Sequence, residues 1–147
     1  MHGPAALALM LLLAGSVQAA EAQQFNLICS GTTTGVVNPR EPRQLDAPRQ
    51  RWFRSFRVDL ATKRYCEDAC RKIETLAEGE PGQVVFVDTV ALIDLYTRER
   101  HSAAFDRATR KYEASDTIQD LSFGYYKEAA LTTATCEAGP FSGFPAP

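Results

Sequence analysis

The octet VDLATKRY, Val58–Tyr65, returns almost unchanged as FDRATRKY, Phe105–Tyr112, and this repeat decides the fold. In both copies an Asp is followed, after a variable residue, by Ala-Thr, two cations and a Tyr. An Asp carboxylate accepts a hydrogen bond from the backbone just beyond it and so starts a turn. Short hairpin loops often combine a type I turn with a residue in the left-handed region. We therefore expect two similar hairpin turns in one sheet, with Lys63 and Arg110 in the left-handed position.

The cations of the octets offer a functional alternative to the turn. Lys63-Arg64 and Arg110-Lys111 would project into solvent at the two hairpin tips. A pair of cationic tips is suited to an anionic polymer. The turn is the interpretation that the Asp chemistry favours.

The segments around the octets alternate as half-buried strands do. Phe25–Cys29 places Phe, Leu and Cys on one face, and polar SGTTTG follows it. In the next strand Trp52, Phe56, Val58 and Leu60 share a parity that Arg54 interrupts. Further strand candidates are Lys72–Leu76, Gln83–Thr89, Ser102–Phe105, Lys111–Ser115 and Tyr125–Cys136, while Val90–His101 fits a helix or a strand, with strand favoured.

Short strands with turn signals between them predict an all-β domain. We expect a single antiparallel meander, closed or nearly closed into a small barrel, with a two-sheet sandwich as the alternative. The segment 38–51 carries three prolines and should be an exposed connection. The Gly-Pro at 139–140 opens a Pro-rich tail, and its rings Phe141 and Phe144 should pack back on the body.

The chain begins with an apolar run that has the length of a signal sequence. Ala5–Ala14 is too short to span a bilayer, and Val17-Gln18-Ala19 is a small-residue cleavage pattern. The predicted organisation is a cleaved signal peptide at 1–19, a β-domain at 20–137 and an extended tail at 138–147. We expect a periplasmic or secreted protein with no membrane insertion after cleavage.

The four cysteines all follow the predicted signal peptide, and in an exported chain an even number predicts disulfides. Cys66 and Cys70 are separated by a single turn, within bridging range. The favoured pairing is therefore Cys66–Cys70 with Cys29–Cys136, although the sequence permits two other pairings. The CEDAC spacing fits neither a zinc site nor a redox dithiol, both of which prefer two intervening residues.

Candidate binding chemistry is concentrated in RQRWFRSFR, Arg49–Arg57, where arginines alternate with aromatic rings. Such a stretch binds polymers by stacking and charge, or forms a strand with rings inward and guanidinium groups outward. The candidate partner-binding residues are Arg51, Trp52, Arg54, Lys63, Arg64, Arg110 and Lys111.

The sequence contains no recognisable catalytic arrangement. His101 has no marked nucleophile beside it, and the lack of recognisable partners predicts a lone surface histidine without a catalytic role. The acidic neighbours Glu67-Asp68 and Glu78/Glu80 are expected to be solvated loop charges. We predict no catalytic residues, no metal and no cofactor. The formal net charge of −2 gives no general attraction to nucleic acid.

Three blocks, FNLICSGT (25–32), FRVDLATKRYCEDAC (56–70) and TCEAGPFSGFP (135–145), resemble a group of small exported bacterial β-proteins whose function is not established. The resemblance implies export and a common β fold. The chain is also loosely similar to periplasmic lysozyme inhibitors, which are small β-barrels with a cysteine bridge near their termini. Their Ser-Gly-x-x-Tyr loop has no clear counterpart, and the nearest segment is Phe123–Tyr126.

These patterns together predict a non-enzymatic exported domain that binds a partner protein or an envelope polymer. The alternative is a small-molecule carrier with a lipocalin-like cavity. An empty interior favours the carrier, and a filled interior favours surface binding.

Overall fold

The computed structural model describes residues 22–37 and 49–146. The predicted signal peptide at 1–19 and most of the Pro-rich connection therefore lie outside the described residues. Within the described ranges every regular element is a strand: β1 Gln24–Val37, β2 Gln50–Asp59, β3 Arg64–Glu67, β4 Glu74–Thr75, β5 Gln83–Asp94, β6 Thr97–Asp106, β7 Lys111–Asp120 and β8 Tyr125–Gly139. These ranges contain no helix that could cross a membrane.

All eight strands form one antiparallel sheet in the order β4-β3-β2-β1-β8-β7-β6-β5. The Ala77–Val85 bridge, in which the Ala77 amide donates to the Val85 carbonyl at 2.8 Å, brings the β4 end of the sheet to β5. The sheet is thereby nearly closed into a barrel, and the predicted barrel meander is confirmed. A two-sheet sandwich is excluded because neighbouring strands pair in one continuous sheet.

The octets form the predicted hairpin turns between β2 and β3 and between β6 and β7. The Asp59 carboxylate accepts from the Thr62 amide at 3.1 Å, and the Asp106 carboxylate accepts from the Thr109 amide at 2.7 Å. Lys63 and Arg110 have φ values of 51° and 58°, the left-handed position expected for them. Tyr65 and Tyr112 then resume the strands with their rings in the core.

Several strand bounds differ from those predicted. β1 continues through SGTTTG to Val37, because its Thr-rich half pairs with β8 on one side and partly with β2 on the other. Val90–His101 is β structure, as favoured, but it contains a hairpin turn after Asp94 that the sequence analysis missed. Of Lys72–Leu76 only Glu74–Thr75 is a strand. β8 runs to Gly139, just past the predicted boundary of the β-domain.

Both favoured disulfides, Cys29–Cys136 and Cys66–Cys70, are present. Cys29 and Cys136 are directly opposed on β1 and β8, so their bridge joins the first strand to the last. Two disulfides indicate an oxidising, extracytoplasmic environment. The tail packs back as expected, since the Arg57 guanidinium donates to the Gly143 carbonyl at 2.8 Å and Phe141 meets Phe144 edge to face.

Aromatic rings fill the centre of the barrel. Trp52 on β2 stacks on Tyr112 on β7 with ring centroids 4.8 Å apart. The two strands are separated by β1 and β8, which present Gly31 and Ala134 at this level. These small residues leave room for the rings to meet. Phe56, Phe86 and Tyr65 extend the cluster towards β3.

Candidate functional site

The barrel is unequally built on its two sides, and this leaves an opening between β2 and β5. β3 ends at Glu67 and β4 comprises only Glu74–Thr75, whereas β5 is much longer and ends at Asp94. Beyond the Ala77–Val85 bridge, in the direction of Asp94, no strand in the described ranges pairs with the outer edge of β5. The backbone groups of Val87–Asp94 on that edge therefore face the opening.

A bulge in β5 sets which of its side chains face inward. The register with β6 shifts between Val85 and Val87, so Phe86 and Val87 both lie on the inner face. Beyond the bulge, Thr89 and Ala91 face inward and Val90 and Leu92 face outward. The edge thus presents small inner side chains and large apolar outer ones.

The outer apolar side chains of β5 are strongly exposed. Val90 is 58% and Leu92 68% exposed, and the β5–β6 turn adds Leu95 at 84%. The β7–β8 turn lies alongside, since the Leu121 amide donates to the Tyr96 carbonyl at 2.7 Å. The exposed large apolar residues of this end of the barrel are Val90, Leu92, Ile93, Leu95, Tyr96, Leu121, Phe123 and Tyr126.

Charged side chains line the inner face beside the opening, and we call this set the charged gap. Each member either lies an even number of residues from a buried core residue on the same strand, and so faces inward with it, or directly follows a strand that has such a core residue. The strands β2, β3, β6 and β7 all contribute to it. The charged gap consists of Arg54, Glu67, Asp68, Glu99, His101 and Asp116.

His101 is clamped between two carboxylates, contrary to the prediction of a histidine without partners. Its Nδ1 lies 2.8 Å from Asp116 Oδ1, and its Nε2 lies 3.0 Å from Glu99 Oε1. The hydrogen bond with Asp116, helped by Glu99, raises the pKa of the imidazole above its usual value despite partial burial. Because each ring nitrogen lies within hydrogen-bond distance of a carboxylate, the surroundings of His101 favour its protonated form. This arrangement does not suit a general base.

The lower rim of the charged gap is built by the turn after β3. Asp68, at a φ of 45°, accepts from the Ser55 amide at 2.9 Å and lies 3.6 Å from the Arg54 guanidinium. It is therefore a structural residue, which corrects the expectation of a solvated loop charge. Glu67 belongs to β3, and its pKa is raised chiefly by burial.

These charges reach the hydroxyl of Tyr112 at the floor of the gap. Burial raises the pKa of Tyr112, the carboxylates of Glu67 and Asp116 raise it further, and Arg54 opposes them. Tyr112 shares the inner face of β7 with Asp116, and its ring centroid lies 5.5 Å from that of Phe56, the register partner of Glu67.

The sequence-predicted binding residues are divided between two ends of the barrel. Trp52 and Arg54 lie at the charged gap, and Arg51 is exposed on the outer face of β2. The octet cations lie at the opposite, closed end. There Lys63 Nζ is 2.6 Å from Glu78 Oε1, and the Arg64 guanidinium lies 5.2 Å from the ring centroid of Phe144. Arg110 and Lys111 are exposed at the second turn.

Glu78 is a solvated loop charge, as expected, with a side chain that is 88% exposed, and it also pairs with Lys63. The hydrogen bond and charge of Lys63 hold the pKa of the Glu78 carboxyl below its usual value. No cluster of three or more His, Cys, Asp or Glu side chains that could hold a metal occurs in the described residues.

Comparison with protein-family models, curated proteins and solved structures finds no match to this chain. The function must therefore be inferred from the open edge of β5 and from the charged gap beside it.

Proposed function

We propose that this protein is a non-enzymatic exported binding domain that holds an extended segment of a partner protein against the open edge of β5. The observation that carries the proposal is the row of backbone groups along Val87–Asp94, which has no neighbouring strand in the described part of the chain. An unpaired edge is a template for another strand, and strand addition is a common mode of peptide recognition.

The edge lacks two of the devices by which proteins block such pairing, lysine and proline. Soluble proteins protect edge strands with lysines, prolines or very short length. Val87–Asp94 contains neither lysine nor proline. Asp88 is turned to Arg100 at 3.3 Å, and Asp94 accepts from the Tyr96 amide at 2.7 Å. A long edge strand without lysine or proline is accessible to a partner strand.

The exposed side chains next to this edge support the same function. Val90, Leu92 and Leu95 are all more than half exposed. Contiguous exposed apolar surface of this kind marks interaction sites on soluble proteins. Because strand pairing requires backbone amides in the partner, a polypeptide fits this edge better than a polysaccharide.

The carrier alternative needs an empty interior. The rings of Trp52, Phe56 and Phe86 with Tyr112 occupy the centre, at centroid separations of 4.5 to 5.9 Å. This filling favours binding at the edge over enclosure of a ligand.

The test compares capture of envelope proteins by the oxidised mature domain and its variants. In Val90→Lys/Leu92→Lys, charges are placed beside the open edge. In Leu131→Lys, a comparable exposed apolar residue is replaced on β8, a strand paired on both sides. We expect the wild type and Leu131→Lys to retain the same partner and the double variant to lose it. Equal capture by all three would contradict the proposal.

A further inference from the structure

The charged gap contains more acidic than basic side chains, and this imbalance favours a positively charged ligand group. Arg54 and His101 share the gap with four acidic residues, Glu67, Asp68, Glu99 and Asp116, so carboxylates outnumber cations whether or not His101 is protonated. Asp68 is satisfied by Arg54, and His101 is shared between Glu99 and Asp116. The Glu67 carboxylate makes no hydrogen bond or ion pair with another described residue, although Arg54 lies near enough to influence its pKa.

A second observation, independent of the acidic residues, is the hydroxyl of Tyr112. The residue is only 5% exposed, yet its hydroxyl forms no hydrogen bond within the described residues. No fully buried side-chain oxygen or nitrogen in those residues lacks a partner. The Tyr112 hydroxyl is therefore not fully enclosed by the described residues and is an unused donor and acceptor beside the aromatic stack.

We infer that the segment bound along β5 inserts a lysine or arginine side chain into the charged gap, between Glu67 and Asp116 and against the Tyr112 hydroxyl. The inference rests on the proposed strand pairing and adds the chemistry of the partner. A cation there offsets the excess of carboxylates.

The two faces of β5 specify the rest of the segment. A strand added to the edge alternates its side chains between the inner and outer faces. On the inner face Thr89 and Ala91 are small, which leaves space for a long basic side chain to reach the gap. On the outer face Val90 and Leu92 offer apolar contacts. The partner segment is therefore an extended stretch in which basic and apolar residues alternate.

The probes are two synthetic peptides, acetyl-Val-Lys-Val-Lys-Val-Lys-Val-amide and its counterpart with Glu in place of Lys. Trp52 is the only tryptophan in the chain and lies at the gap, so its fluorescence reports binding directly. Glu67→Gln/Asp116→Asn removes the acidic charge, and Glu137→Gln, at an exposed position of β8, is the matched control.

We expect the Lys peptide to bind at least about tenfold more tightly than the Glu peptide. The preference should be lost in Glu67→Gln/Asp116→Asn, retained in Glu137→Gln, and weakened by salt. Equal binding of both peptides, abolished by Val90→Lys/Leu92→Lys, would overturn the cationic site and leave the edge site standing. Failure of both peptides to bind would overturn both proposals.

Discussion

Asp59 and Asp106 occupy the same place in the two octets, but their surroundings differ. Asp59 is 3% exposed and accepts from Gln24 Nε2 at 2.9 Å as well as from its own turn. Asp106 is bonded only within its turn, to the amide and hydroxyl of Thr109. The first aspartate therefore ties a turn to the start of β1, while the second supports a turn alone.

We expect Asp59→Ala to reduce the free energy of unfolding by about 1–3 kcal/mol, because it removes the hydrogen bonds that the buried Asp59 carboxylate accepts from Gln24 and Thr62. Asp106→Ala is the matched control and should cost less, since Asp106 is less buried and its carboxylate bonds to Thr109 of its own turn, with no counterpart of the Gln24 bond among the described residues. Urea denaturation of both variants measures the difference. Equal losses would show that the turn, and not the tie to β1, is what Asp59 stabilises.

The same residue predicts a pH dependence. Burial raises the pKa of the Asp59 carboxyl, but the hydrogen bonds from Gln24 and Thr62 outweigh burial and bring it below its ordinary value. A lowered pKa contributes stability above the unfolded-state pKa, about 3.9, and that stability is lost as pH falls through the folded-state pKa. The difference between wild type and Asp59→Ala should thus be full at neutral pH and shrink below about pH 4.

Residues of the site were harder to predict than residues of the turns. The octet turns were predictable because their hydrogen bonds lie within a few residues of each Asp. His101 was predicted to lack partners because Asp116 reaches it only through the β6–β7 register. Arg54 interrupted an apolar alternation, and that was the available signal that the inner face becomes polar at this level.

At the scale of elements, the seam between β1 and β8 holds the barrel together. Cys29 and Cys136 face each other across it and are fully buried. Two residues after Cys29, β1 lies very close to β8. A Cβ added to Gly31 would overlap the Thr133 carbonyl and lie 2.5 Å from Ala134 Cα. The seam is therefore both covalently joined and tightly packed.

The two disulfides should differ in their effect on stability. In the chain-entropy model, a bridge across a sequence separation of 107 stabilises by about 4–5 kcal/mol, and one across a separation of 4 stabilises by less. We expect Cys29→Ala/Cys136→Ala to lower the free energy of unfolding much more than Cys66→Ala/Cys70→Ala. Guanidinium denaturation measures both, and the comparison is matched because all four sulfurs are buried. A larger loss from the short bridge would assign the main restraint to the turn after β3.

Strand existence was predictable, but strand length was not. Alternation identified the apolar half of β1, yet the threonine-rich half forms a strand only because β8 lies beside it. Within Val90–His101 the Asp94 carboxylate starts a tight turn that the apolar run concealed. Local patterns thus locate the core, whereas pairing with distant strands decides how far each strand extends.

At the scale of the whole molecule, the barrel consists of two four-stranded meanders, β1–β4 and β5–β8. An octet turn lies at the centre of each meander. The backbone carbonyl of the left-handed residue in each turn accepts a hydrogen bond from the last strand of the same meander or from the residue directly after it. Lys63 accepts from the Leu76 amide and Arg110 from the Cys136 amide, both at 2.9 Å. The halves differ in length, since β3 and β4 have 4 and 2 residues and β7 and β8 have 10 and 15. The shortened half leaves the opening in which the open edge and the charged gap lie.

This architecture predicts which rearrangements of the chain the fold tolerates. The ends of the described chain are close, because Asn26 pairs with Gly139 in the sheet and Asn26 Nδ2 donates to Ser142 Oγ at 3.0 Å. A circular permutant of 22–146 that joins these ends by a short linker and begins at Gln83 keeps every strand pair, because β4 and β5 are joined only by a bridge at one end. We expect it to fold cooperatively and to form both disulfides.

The control is a permutant opened between Arg110 and Lys111, inside the second octet turn. It separates β6 from β7 at a left-handed turn whose Arg110 carbonyl holds β8, so it should be markedly less stable in denaturant or fail to oxidise correctly. Circular dichroism, urea unfolding and peptide mapping under non-reducing conditions compare the two permutants. If the Arg110 permutant proved as stable as the Gln83 permutant, the repeated octet would have no special part in joining the halves, and the turn chemistry that the two copies share would need another explanation.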